Sequence, residues 1–133
     1  MTTHARLIGA ALAVMIATPA AATHAAILGC FEKQTGGEQK TCMAAVHQAA
    51  RGELDVVYRA VLESAQTRES PKYSPAAAIE KSQKAFETYR NAECGDVIGG
   101  GDRGSGTAVM VMGCYAEKDY QRIEELKAPF DRR

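Results

Sequence analysis

Four cysteines, Cys30, Cys42, Cys94 and Cys114, follow an N-terminus that reads as an export signal, and together these features constrain the fold more than any other. The opening stretch MTTHARLIGAALAVMIATPAAATHA has a short polar start with Arg6, an apolar run over 7–17, then Pro19 and a series of small residues. The run is too short to cross a bilayer, and small residues ahead of a cleavage point suit signal peptidase. The sequence therefore predicts a signal peptide over 1–25, cut after Ala22 or Ala25, and a mature domain over 26–133. No later stretch is apolar for long enough to make a transmembrane segment. The mature part holds roughly 108 residues, room for one small domain. All four cysteines lie in this part, where an oxidising compartment favours two disulfides. Four cysteines permit three pairings, and the spacing favours Cys30 with Cys42 and Cys94 with Cys114, each closing a loop worth up to about 3 kcal/mol. A second reading takes ILGC, ending at Cys30, as a lipoprotein processing site. It is disfavoured because His24 and the stretch 19–26 separate it from the apolar run. A periplasmic location is expected, with secretion or a lipid anchor at the envelope as the alternative.

Charge narrows the partners. Loss of Arg6 with the leader leaves 15 of the 16 basic residues against 16 acidic ones, a formal charge of −1. Nucleic-acid binding requires neutralised phosphates and is not expected.

The hydrophobic periodicity predicts helices. Over 38–65, Cys42, Val46, Ala50, Leu54, Val57, Tyr58, Val61 and Ala65 make a drifting apolar stripe behind a Gly36–Gly37 breaker. Gly52, on the opposite face, marks where this helix would bend or break. Ser74 and Pro75 supply a cap and a first-turn proline for a second helix running to about Cys94. A third helix over 107–127 presents Val109, Met112, Ala116, Tyr120, Ile123 and Leu126 on one broad face. Cys114 is about 140° off that face, so a bond to Cys94 requires either a place at the rim or a distortion near Gly113. The apolar cluster VMVM at 109–112 reads as core. The fold class is all-α, a small antiparallel helical domain of about three helices with two disulfides.

One stripe is unusual. Ile79, Gln83, Phe86, Arg90 and Cys94 fall within a sector of about 80°, the width a helix reserves for its core face. The stripe is either a ligand surface or a core face with a satisfied polar network, since an arginine can lay its carbon stem along apolar neighbours while its guanidinium meets a carboxylate or helix-end carbonyls. The segment GDVIGGGDRGSG at 95–106 has six glycines in twelve residues and reads as an exposed turn held by a disulfide. Its Asp96, Asp102, Arg103 and Ser105 are the candidate partner-binding residues. It lacks the features of a phosphate loop or a dinucleotide fingerprint. His47 sits on a polar shoulder, has no companions at metal-ligand spacing and reads as solvent-exposed. With every cysteine assigned to a disulfide and no nucleophile–base pattern, the sequence predicts no catalytic residues, no metal and no cofactor.

The cysteine pattern, LDVVY at 54–58, QKAFETYRNAEC at 83–94, the glycine-rich loop, Cys114 and RIEEL at 122–126 together resemble the LprI-like lysozyme inhibitor family of bacterial secreted proteins. Gln83, Phe86, Tyr89, Arg90 and Cys94 match the family's central motif, with Phe86 where a tryptophan is usual. Asp119 stands where threonine is frequent. The resemblance implies a mostly helical exported protein, a structural network built on Gln83, Phe86, Tyr89 and Arg90, and inhibition of lysozyme or a related cell-wall hydrolase by binding. The competing expectation is a non-catalytic structural or stress-related envelope protein with another partner.

Overall fold

A computed structural model describes residues 19–100 and 104–128. They form α1 (Pro19–Phe31), α2 (Gly36–Gln66), α3 (Pro75–Asn91), a π-helical continuation of α3 (Ala92–Ile98) and α4 (Ser105–Lys127). The expected helices are α2, α3 and α4, and α1 is a further element that carries Cys30. Among the described residues the only β pairing is one bridge between Ser70 and Tyr73. No helix among them is long and apolar enough to cross a membrane. The disulfides join Cys30 to Cys42 and Cys94 to Cys114, the pairing that spacing favours.

Local chemistry explains the boundaries. Gly36 and Gly37 are the first turn of α2 and not a breaker ahead of it, because Thr35 supplies the cap. Its Oγ1 accepts from the Glu38 N–H at 3.2 Å, and the Glu38 carboxylate accepts from the Thr35 N–H at 3.0 Å. Gly52 does not break α2, which is helical without interruption from Gly36 to Gln66. The glycine faces solvent, and burial of Met43, Ala50, Leu54, Val61 and Ala65 on the other side outweighs a propensity cost of about 1 kcal/mol. At the start of α3, Ser74 Oγ accepts from the Ala77 N–H at 3.1 Å and the Glu69 carboxylate from the Ala76 N–H at 3.0 Å. Two amides that a helix start leaves free are thus satisfied.

The expected turn over 95–106 is shorter than its glycine content suggests. The chain continues as a π helix to Ile98, and α4 already begins at Ser105. A Cβ on Gly99 or Gly100 would collide with the carbonyl oxygens of Gly95 and Asp96, respectively, so these two glycines let the chain fold back and leave the helix. The π segment also places Cys94. Helix α4 runs unbroken through Gly113; the distortion lies on the Cys94 side, where i to i+5 bonding widens the helix. Cys94 is fully buried, and Cys114 is half-buried at the rim of the packing.

Helix α3 runs antiparallel to both neighbours: Ile79 packs in the cluster with Val61 while Glu87 reaches Arg51, and Gln83 meets Arg122 while Arg90 meets Asp119. Successive helices α2, α3 and α4 thus alternate in direction, as expected of a small antiparallel helical domain, and α2 and α4, which share the most extensive helix interface, run parallel. The core has two parts. Ile27, Cys30, Met43, Ala50, Val109 and Ala116 join α1, α2 and α4, whereas Leu54, Val61, Ile123 and Leu126 join α2 and α4, with Ile79 and Phe86 of α3 packed on them. Tyr120 touches both. The VMVM cluster divides: Val109 is core, while Met110 is 56% exposed.

Gly52 has no positive φ, and nothing lies within 4 Å of where its Cβ would stand. Gly52→Ala is therefore expected to stabilise the oxidised protein by about 0.5–1 kcal/mol in urea unfolding. A loss of stability would show that α2 uses the flexibility of this position.

Candidate functional site

Two features bear on function, a buried polar network that sets the helix register and an exposed groove beside the second disulfide.

The network is built on the stripe of α3. Gln83 is 6% exposed and Arg90 7%, so the polar members of the stripe are more deeply buried than Phe86, which is half-buried. Arg90 Nη1 donates to Asp119 Oδ1 in an ion pair whose carboxylate is wholly buried. Its guanidinium also lies 5.6 Å from the ring centre of Phe86 and 5.3 Å from that of Tyr115, within cation–π range of both. Phe86 is approached by a second guanidinium, Arg122 at 5.5 Å. The three donors of Arg122 are distributed over α3 and α4: Nε to Gln83 Oε1 at 3.1 Å, Nη2 to Ser82 Oγ at 2.9 Å, and Nη1 to Glu125 at 3.0 Å. Gln83 in turn donates to Glu87 at 3.3 Å, and Glu87 lies 3.8 Å from Arg51 of α2. Three helices are thereby linked through polar side chains.

Of the family-motif residues, Gln83, Phe86 and Arg90 meet in this network. Tyr89 does not. It is 53% exposed on the outer face, where Lys118 Nζ donates to its hydroxyl at 3.0 Å. His47 differs from its solvent-exposed reading, being half-buried and stacked on Tyr115 with ring centres 5.4 Å apart. Asp119, Arg122 and Tyr115 were missed as network members. The signal for Asp119 was present, because it lies three residues after Ala116 and four before Ile123, on the apolar face of α4.

The groove lies between the end of α1, the π segment and α4. Ile27, Phe31, Ile98 and Met110 supply apolar surface, Glu93, Glu117 and Lys118 supply charge, and Gly113 and Cys114 also line it. Phe31 is 44% exposed and Met110 56%. Nearby along the π segment, Asp96 is exposed and Val97 is 71% exposed. Of the candidate partner-binding residues, Asp96 is thus on the surface and Ser105 opens α4, while Asp102 and Arg103 lie outside the described residues. Among the described residues no three His, Cys, Asp or Glu side chains are grouped to hold a metal ion.

The model of the family described as Lysozyme inhibitor LprI matches residues 30–126, most of the chain. The match begins at Cys30 and ends at Leu126 of the second core cluster, so it contains both disulfides and the whole network. No curated protein and no solved structure matches the chain.

Removal of Arg90 would strand a buried carboxylate, so Arg90→Ala should cost about 3 kcal/mol or more in denaturant unfolding. The paired replacement Arg90→Met with Asp119→Leu should recover most of that loss, because no charge is left buried alone. A loss below about 0.5 kcal/mol for Arg90→Ala would show that the pair does not hold the fold.

Burial lowers the His47 pKa from its ordinary 6.5; the nearby Asp119 raises it in part, while Arg90 and Arg51 lower it further. Because the folded state favours neutral imidazole, its contribution to stability is full above pH 6.5 and is lost as pH falls through that value toward the lower folded pKa. The urea midpoint should therefore fall on acidification from pH 7.5 to 5 more in wild type than in His47→Gln, and identical profiles would contradict this.

Proposed function

Since the chain belongs to the LprI family of lysozyme inhibitors, we propose that it is an exported binding protein that inhibits a lysozyme or a related cell-wall hydrolase. The observation that carries this reading is the family match, which extends over the whole disulfide-linked helical unit. The family takes its name from inhibition and not from catalysis. Export to the periplasm, behind a cleaved leader, is part of the same proposal. Two disulfides accord with an oxidising compartment, and the bond to Cys42 engages the Cys30 sulfur that a lipid anchor would need.

The inhibitory surface in this proposal is the groove between α1, the π segment and α4, with the adjoining glycine-rich turn, and inhibition is steric occlusion of the substrate cleft. Exposed apolar side chains at Phe31, Val97 and Met110 offer area to bury, while Glu93, Asp96 and Glu117 would meet a cationic hydrolase. The Cys94–Cys114 bond holds this surface in shape before binding, which lowers the ordering cost of association. A structural or stress-related envelope protein with another partner is the rival reading. One observation favours it: a formal charge of −1 for the chain without its leader gives little long-range attraction to a basic enzyme.

Titration calorimetry against lysozymes of several classes, with hydrolysis followed in parallel, tests the proposal. Met110→Asp and Val97→Asp should each weaken binding about 10-fold or more with little change in melting, because each places a charge in an interface that must be desolvated. Val56→Asp is the control, since Val56 is 59% exposed on α2 and lies outside the groove. Binding insensitive to Met110→Asp in the groove and to Val97→Asp beside it would relocate the interface, and no binding to any class would favour the rival.

A further inference from the structure

The sequence leaves two points at which the leader could be cut, and α1 distinguishes them. Thr23, Ile27 and Cys30 are buried, at 7%, 8% and 0% exposure, while His24, Ala25 and Ala26 between the first two are exposed. The spacing of four and then three residues is that of a single helix face. This face packs against α2 and α4, with Ile27 and Cys30 in the first core cluster and Thr23 lining a groove with Tyr120, Glu117 and Glu124 of α4. The packed face of α1 therefore includes Thr23, upstream of the Ala25 boundary.

We propose that leader peptidase cuts between Ala22 and Thr23, and that the mature protein begins with Thr23 packed against α4. The proposal rests on the export element of the function above. Cleavage after Ala22 places small residues, Ala20 and Ala22, at the two positions that signal peptidase reads, and keeps the buried Thr23 in the mature chain. Cleavage after Ala25 would discard Thr23 and shorten α1 to 26–31. A cut at Thr23 also creates an α-ammonium at the residue that shares a groove with Glu117, Glu124 and Glu125. Glu125 is already paired with Arg122, which leaves Glu117 and Glu124 to meet the new charge. Without them, a positive charge at a helix N-terminus would oppose the helix dipole.

The test is expression of the full chain with its own leader in a bacterial host, envelope fractionation, and intact mass with N-terminal peptide sequencing of the exported protein. A start at Thr23 is expected. A start at Ala26 would overturn the assignment while leaving export intact, whereas an uncut chain confined to the cytoplasm would overturn export itself. A lipid-modified Cys30 would overturn both the cut site and the Cys30–Cys42 bond in the exported form. As a second measurement, oxidised proteins beginning at Thr23 and at Ala26 are melted side by side. The Thr23 form is expected to melt at least about 4 °C higher, and equal melting would overturn the packing argument independently of where the peptidase acts.

Discussion

The contact between Arg90 and Asp119 is the constraint around which the helices are arranged. Two opposite charges have left water at the meeting of α3 and α4, and each is tolerable only while it faces the other. Sliding α3 by one residue against α4 would separate them and leave both unpaired in a poorly polarisable interior. The pair thus selects a register that apolar contacts alone would specify loosely, since small and medium side chains such as Ala116, Ile123 and Ile79 can pack in several ways. Phe86, between the guanidinium groups of Arg90 and Arg122, extends the same interaction toward the second core cluster. A helix face that looks unsuited to a core is consistent once its partner face is known.

A small domain with a divided core needs additional ties, and the disulfides supply covalent ones. One joins α1 to the start of α2, and the other joins the π segment to α4. Both reduce the freedom of the unfolded chain. The second bond has a geometric consequence as well, because its half-cystine at position 94 sits where regular helix gives way to a wider turn. The glycines that follow then return the chain toward α4.

These features account for the character of the exposed end. The polar network is buried between the helices, whereas the surface near Met110 and Val97 combines apolar area with a backbone held by a disulfide. Family membership is shown by the match over residues 30–126.

Much of this was readable along the chain. Period-3.6 apolar patterning, Ser74 with Pro75, and cysteines spaced for short-range pairing are local signals, and they determined the all-α class, the three main helices and the favoured disulfides. The family motif added Gln83, Phe86 and Arg90 as a unit. What remained depended on residues distant in sequence. Asp119 lies 29 residues from Arg90 and Arg122 lies 39 from Gln83, so neither partnership has a periodicity that a single strip of sequence could display. Tyr89 belongs to the motif yet faces outward, because its neighbour on the stripe is one residue, or about 100°, away. Thr23 belongs to the packed domain although the sequence around it reads as leader. In each case the deciding quantity was burial against another helix, and burial is a property of the assembled fold.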